Sequence, residues 1–134
     1  MKILIIDDNV QLTELTRIAL VKNDYEVAIC NVASEGVDYV RLHHPDLILI
    51  DIIMPPDLSG LEIAKSLKAD QELKDIPIVF ITGLMVGDED SLQEQGLNVD
   101  GIKYPILGKP YKSEQLLSMV RKYVLQPGND PKLI

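Results

Sequence analysis

The sequence predicts an α/β domain in which helices cover both faces of a parallel sheet, and three observations carry this prediction. Short apolar runs rich in β-branched residues recur along the chain, and segments with helical apolar spacing separate them. A length of 134 residues with 46% apolar content suits one domain with a substantial core. Apolar stretches stay short of the roughly 18 residues that a membrane-spanning helix needs.

Five strand–helix units are predicted in chain order. The strands are expected over 2–7, 26–30, 46–50 and 77–81, with a fifth near 102–107. Helices are expected between and after them, and the one over about 85–95 is weakly patterned. Apolar positions at helical spacing define the core-facing side of the other four helices: Leu12, Leu15 and Ala19; Ala33, Val37 and Val40; Gly60, Ile63, Ala64 and Leu67; Leu116, Met119, Val120 and Tyr123.

The domain is predicted to cover residues 1–125, and residues 126–134 form a tail or the start of a linker. Lys and Arg number 13 against 21 Asp and Glu, giving a net charge of −8. That balance argues against direct nucleic-acid binding, because phosphate contacts need a basic face. Cys30 is the single cysteine, which excludes a disulfide framework and a cysteine metal cluster. With a strand at the amino end, we expect a cytoplasmic protein without a membrane association.

Acidic residues follow two of the predicted strands. Asp7 and Asp8 come after the apolar run at 3–6, and Asp51 comes after the run at 47–50. Ligands bind at the carboxyl ends of parallel strands, so we expect these acids to converge. Two like charges about 4 Å apart repel by about 4 kcal/mol at an effective dielectric near 20, so the cluster calls for a cation. Oxygen ligands favour Mg²⁺, with Mn²⁺ as a substitute. An open alternative is that Asp7 and Asp8 only cap the next helix.

Two more polar residues follow strands. Thr82 comes after the run at 78–81 and Lys109 after residues 106–108, where a hydroxyl and an ammonium can hold the oxygens of an anion. At this point the chain resembles the receiver domain of two-component response regulators, over about residues 1–125. The matching motifs occur in the family's order, each after its own strand: Asp7-Asp8-Asn9, Asp51 with Met54-Pro55 and Gly60, Thr82-Gly83, and Lys109-Pro110.

The resemblance implies a flavodoxin-like, doubly wound sheet of five parallel strands in the order 2-1-3-4-5, with five helices in a three-layer αβα arrangement. It implies that Asp51 accepts a phosphoryl group from a phosphohistidine of a histidine kinase or a histidine phosphotransfer protein. Asp8 would bind Mg²⁺ directly, Asp7 would act mainly through water, and the backbone carbonyl of Ile53 would be a further ligand. Thr82 and Lys109 would each hold a phosphoryl oxygen.

A protein of this family is a signalling switch and only marginally an enzyme, and its output passes to a downstream protein target or an attached output domain. We expect the switching surface on the predicted fourth helix, fifth strand and fifth helix, because the fourth helix is weakly patterned and Gly83, Gly87 and Gly96 lie in or beside it. Three other function classes remain to be weighed. A purely structural pseudo-receiver would not need the intact acids, a flavin or nucleotide binder would need a glycine-rich loop after the first strand, and an aspartate-based phosphohydrolase would need an Asp-x-Asp motif.

The sequence also departs from the common family pattern. Ile106 stands where many receivers carry an aromatic residue, three positions before Lys109. The stretch 96–109 is long, contains Pro105 and looks more like receivers attached to hybrid histidine kinases. In the family, the residues two after the phospho-acceptor and two after the threonine flank the approach of water, and the resemblance assigns these positions to Ile53 and Leu84. Both are apolar, and this predicts slow self-dephosphorylation.

Overall fold

The computed structural model describes residues 1–54, 59–83 and 96–124 of the chain. Within these ranges there are seven strands and four helices. The strands are β1 (Lys2–Ile6), β2 (Glu26–Cys30), β3 (Leu47–Asp51), β4 (Ile78–Thr82), β5 (Leu97–Val99), β6 (Ile102–Tyr104) and β7 (Ile106–Gly108). The helices are α1 (Val10–Val21), α2 (Ala33–His43), α3 (Ser59–Ala69) and α4 (Ser113–Tyr123).

Five strands pair in parallel in one sheet, in the order β2-β1-β3-β4-β7. This confirms the predicted doubly wound fold and its strand order, with β7 as the fifth strand of the sheet. β3 and β4 are buried along their whole length, which explains why they are almost continuously apolar rather than alternating. β2 lies on one side of β1 and β3 on the other, so the connections after β1 and β3 run in opposite directions. A crevice therefore opens beyond the carboxyl ends of β1 and β3.

Helices form a layer on each face of the sheet and enclose two apolar cores. One core joins Val40 of α2 and Leu67 of α3 to the sheet, and the other joins Leu20 of α1 and Leu116 of α4 to the opposite face. The three-layer prediction is therefore confirmed by the described part of the chain. The predicted helix over 85–95 lies outside the described residues. Among those that are described, no helix is both long and apolar enough to cross a membrane.

The single strand predicted near 102–107 is wrong in its bounds. The chain instead forms an antiparallel hairpin, β5–β6, before it enters the sheet as β7. Asp100 and Gly101 make the turn with φ of 52° and 83°, which is the left-handed geometry that a two-residue hairpin turn requires. The side chain of Asn98 accepts a hydrogen bond of 3.0 Å from the Gly101 N–H and closes the turn.

Pro105 separates β6 from β7 because it has no N–H to continue a ladder. Its carbonyl accepts a hydrogen bond of 3.0 Å from the Phe80 N–H, so pairing with β4 starts at this residue. Tyr104, just before it, is buried against Phe80 with the two ring centres 4.9 Å apart. The run 102–107 therefore holds two short strands with different partners.

The predicted face of α1 is only partly confirmed. Ala19 packs on the core, but Leu15 is 66% exposed, and the helix buries Thr13, Thr16 and Leu20. The threonines tolerate burial because their hydroxyls bond to carbonyls of their own helix, Thr13 to Val10 at 2.9 Å and Thr16 to Leu12 at 2.8 Å. An apolar-periodicity argument counts threonine as polar and so misses that the buried face includes Thr13 and Thr16.

Candidate functional site

Three carboxylates meet at the carboxyl edge of the sheet. β1 and β3 are neighbours with Ile6 opposite Ile50, so the residues that follow, Asp7 and Asp51, are brought side by side. Asp7, Asp8 and Asp51 each present a carboxylate oxygen, and these oxygens lie within 4.8 Å of one another. Asp7 and Asp51 are buried while Asp8 is exposed, so the cluster opens to solvent on the Asp8 side.

Lys109 reaches into this cluster from the other half of the sheet. β7 pairs with β4 so that Gly108 lies opposite Thr82, and the Lys109 N–H donates a 2.8 Å hydrogen bond to the Thr82 carbonyl. The Lys109 ammonium lies 2.9 Å from Asp7 Oδ2 and 3.0 Å from Asp51 Oδ2. The side chain of Thr82 is buried at the end of β4. All the predicted site residues thus converge on one edge.

Backbone groups fix the orientation of the two buried carboxylates. Asp51 Oδ1 accepts a hydrogen bond of 3.2 Å from the Ile53 N–H, and Asp7 Oδ1 accepts one of 3.0 Å from the Asn9 N–H. In both cases the donor lies two residues further along the chain, as in an Asx turn. Each of the two carboxylates therefore accepts a backbone hydrogen bond at one oxygen and contacts the Lys109 ammonium with the other. Ile53 itself is 38% exposed at the mouth of the site.

The capping alternative for the acidic pair does not hold for α1. The residue that caps this helix is Asn9, whose side-chain oxygen accepts a 3.0 Å hydrogen bond from the Leu12 N–H. Asp7 and Asp8 precede the cap, and Asp7 points its carboxylate toward Lys109 and Asp51 instead. The acids are thus arranged for the cluster rather than for the helix terminus.

The cluster carries more negative than positive charge, since three carboxylates share one ammonium. Burial raises the pKa of the Asp51 carboxyl above its ordinary value; the hydrogen bond from Lys109 opposes this and the charge of Asp7 reinforces it. Burial acts to lower the pKa of the Lys109 ammonium, but hydrogen bonds to Asp7 and Asp51 outweigh it and the pKa is raised. Lys109 therefore stays charged, while one ammonium does not compensate three carboxylates.

Gly60, a residue of the predicted motif, has a steric reason to be there. A Cβ at this position would lie 2.0 Å from the Asp51 carbonyl oxygen and 2.9 Å from the Ile52 Cα. The start of α3 therefore packs directly on the backbone that carries Asp51, at a distance that only glycine allows.

Sequence reasoning missed three residues that support the site. Asn31 donates a 2.8 Å hydrogen bond from Nδ2 to the Asp7 carbonyl. The Tyr111 hydroxyl lies 2.6 Å from Thr16 Oγ1 and joins the loop after Lys109 to α1. All three are ordinary polar residues outside the sequence motifs, and only the fold brings them close to the acids.

Comparison with known proteins identifies the family to which the chain belongs. A family model described as the response regulator receiver domain matches residues 3–121. The chain belongs to the response regulator receiver domain family. Domains of this family are signalling modules of two-component systems, which typically use Mg²⁺ and interact with histidine kinases and output domains.

Individual relatives agree with this assignment. The polar-differentiation response regulator DivK of Brucella ovis is 33% identical over 123 residues, covering 91% of this chain and 94% of the relative. Among solved structures, the signal receiver domain of a signal transduction histidine kinase from Syntrophus aciditrophicus is 26% identical with a TM-score of 0.73, covering 91% of this chain and 88% of that one. The Vibrio cholerae chemotaxis protein CheY4, at 22% identity and a TM-score of 0.75, covers 92% and 98% respectively and shares the fold.

Proposed function

We propose that this receiver domain is a phospho-acceptor switch in which Asp51 takes a phosphoryl group from the phosphohistidine of a histidine kinase or a histidine phosphotransfer protein. One observation carries the proposal: the Asp51 carboxylate, only 6% exposed, is held between the Ile53 N–H and the Lys109 ammonium and faces two further acids. A carboxylate held in one orientation beside a cation is suited to attack phosphorus in line with the leaving group.

The transfer makes one bond and breaks one. A carboxylate oxygen of Asp51 forms a bond to phosphorus while the bond from phosphorus to the histidine nitrogen breaks, and that electron pair stays on the imidazole. The Lys109 ammonium lies 3.0 Å from Asp51 Oδ2, so a small movement brings it onto a phosphoryl oxygen. Thr82, at the end of the neighbouring strand, supplies a hydroxyl for a second oxygen. Phosphoryl transfer depends mainly on such positioning and charge neutralisation.

The acid cluster fits a divalent cation. Three carboxylate oxygens within 4.8 Å of one another form a hard-oxygen donor set of the kind that Mg²⁺ prefers, with Mn²⁺ as a substitute. We assign Asp8 and Asp51 as carboxylate ligands, with Asp8 binding directly, Asp7 as acting mainly through water, and the Ile53 carbonyl as a backbone ligand. When bound, the metal would offset the carboxylate charge and stabilise the negative charge on the phosphoryl group.

We further propose that the phosphorylated state changes a surface that includes β7 and α4, and that a downstream target or an attached output domain binds there in the cytoplasm. This proposal is supported by the direct connection between the site and this surface. Lys109 follows β7 in the chain, and its N–H donates a hydrogen bond to the Thr82 carbonyl at the end of β4. The predicted helix over 85–95, which contains Gly87 and stands between Gly83 and Gly96 in the sequence, would belong to the same surface and lies outside the described residues.

The direct test is labelling with radioactive acetyl phosphate in Mg²⁺. Asp51→Asn keeps the shape of the side chain but removes the nucleophile, so labelling should fall to background. Asp46→Asn is the matched control, since Asp46 precedes the same strand at its opposite end and accepts a hydrogen bond from the Lys2 N–H. The proposal fails if Asp51→Asn is labelled as fast as the Asp46 variant.

A further inference from the structure

The starting observation is a hydroxyl pair between α1 and the loop that follows β7. Thr16 is only 3% exposed, and its Oγ1 lies 2.8 Å from the Leu12 carbonyl and 2.6 Å from the Tyr111 hydroxyl. The Leu12 carbonyl can only accept, so the single proton of Thr16 is directed to it. Tyr111 is therefore the donor to Thr16.

This bond connects the two halves of the site. Tyr111 is two residues after Lys109, which carries the ammonium, and α1 begins three residues after Asp7. In the described part of the chain, three other hydrogen bonds anchor the backbone of the loop 109–112. The Lys109 N–H donates to the Thr82 carbonyl, the Lys112 N–H donates to the Gln115 side chain, and the Lys112 carbonyl accepts from the Leu116 N–H. Among the described residues, the Tyr111–Thr16 bond is the one that ties this loop to α1.

The Tyr111 ring packs on the core that includes Leu116, but this packing leaves space at this end of the helices. An open groove of about 260 Å³ lies between α1 and the start of α4, so the hydroxyl bond adds a fixed distance that apolar contact alone does not define. The groove is lined by the apolar face of α1 and by residues around the start of α4: Leu12, Leu15, Thr16, Ala19, Tyr111, Ser113 and Leu116.

We infer that Tyr111 is a positioning residue for phosphoryl transfer: its hydroxyl, bonded to Thr16, holds the loop of Lys109 at the distance from α1 that places the ammonium between Asp7 and Asp51. The inference rests on the proposed function of this site. It does not involve contact of Tyr111 with the phosphoryl group. Loss of the hydroxyl loosens Lys109, which acts in the transfer step, and leaves the metal-binding acids in place.

Tyr111→Phe tests the inference cleanly, because Thr16 keeps the Leu12 carbonyl as its partner. We expect the maximal labelling rate with acetyl phosphate to fall about 5- to 20-fold, while half-saturation by Mg²⁺ stays within about twofold, since small misplacements of a catalytic group are costly. Thr16→Val should slow labelling to the same extent, and the double variant no further, because each removes the same bond. Thr16→Ser keeps the hydroxyl and should restore the rate.

Two controls separate positioning from a general loss of structure. Tyr25→Phe removes a hydroxyl from a half-buried tyrosine that packs on the same core near the amino end of β2, and should label at the wild-type rate. The NMR signal of the Lys109 ammonium should shift in Tyr111→Phe and not in Tyr25→Phe. An unchanged rate or an unchanged Lys109 signal in Tyr111→Phe overturns the inference. Failure of wild-type protein to label through Asp51 would instead overturn the proposed function.

Discussion

Replacing Lys109 with methionine removes the ammonium that lies 2.9 Å from Asp7 and 3.0 Å from Asp51. Methionine keeps a similar length and apolar stem, so the change is mainly one of charge. Asp7 is 1% exposed and Asp51 6%, and neither can turn into bulk water to escape the other. The variant therefore places two buried carboxylates together without their counter-ion.

The cost follows from the geometry of the cluster. Carboxylate oxygens at the 4.8 Å limit of the cluster repel by about 3.5 kcal/mol at an effective dielectric of 20, and by less than about 1 kcal/mol in bulk water. Removing one partner of a buried ion pair typically costs about 3–5 kcal/mol. The lysine side chain is 20% exposed, so we take the lower part of that range and expect Lys109→Met to lose about 3 kcal/mol of unfolding free energy in chelator.

The assay is urea unfolding at pH 7, in chelator and in excess Mg²⁺. Because a divalent cation supplies the charge that the lysine supplied, Mg²⁺ should recover a large part of the loss and should stabilise Lys109→Met more than wild type. Lys22→Met, at an exposed position after α1, is the control and should change stability by less than about 0.5 kcal/mol. Equal stability of Lys109→Met and wild type in chelator would refute this account of the cluster.

Three further outcomes follow from the same geometry. Burial raises the pKa of Asp51 in the folded protein, so ionisation of this carboxyl lowers the unfolding free energy as pH rises above its ordinary pKa of 3.8. In chelator at pH 7, Asp51→Asn should therefore be more stable than wild type in thermal unfolding, and the difference should disappear below pH 3. Gly60→Ala should lose about 2–3 kcal/mol in urea unfolding, because its Cβ would meet the Asp51 carbonyl at 2.0 Å, and wild-type stability would contradict that contact. Ile53→Asn, at the 38% exposed mouth, should shorten the lifetime of the phosphorylated protein several-fold by orienting water, and an unchanged lifetime would show that this side chain does not set the rate.

The sheet was predictable because its strands are buried on both faces and therefore appear in the sequence as apolar runs. The same property located the acids, because a charge directly after such a run lies at the carboxyl edge of the sheet. There the pairing of Ile6 in β1 with Ile50 in β3 brings Asp7 and Asp51 together. Even the strand order, which came from family resemblance rather than from periodicity, agrees with the structure.

The failures have equally physical causes. The hairpin was missed because its first strand and the Asp100-Gly101 turn precede the predicted strand near 102–107, and Pro105 divides that predicted strand into two three-residue strands. Part of the buried α1 face was missed because the threonine hydroxyls bond to their own helix, which lets Thr16 lie in the core. The contact between Thr16 and Tyr111 spans 95 residues, and no local pattern encodes it.

The edge of the sheet at β7 also bears on how the protein behaves at high concentration. An unpaired strand edge can recruit a strand from another molecule and seed aggregation, and the risk grows with its length. Here the edge strand has three residues, Ile106–Gly108, and prolines stand close on either side at 105 and 110. Pro105 and Lys109 both turn their backbone groups toward β4, whereas Pro110 carries no N–H. A foreign strand that extended the ladder past the carboxyl end of β7 would therefore soon lack a donor. The short length of β7 and the proline that follows Lys109 thus also limit how far this border of the sheet can act as a template for other chains.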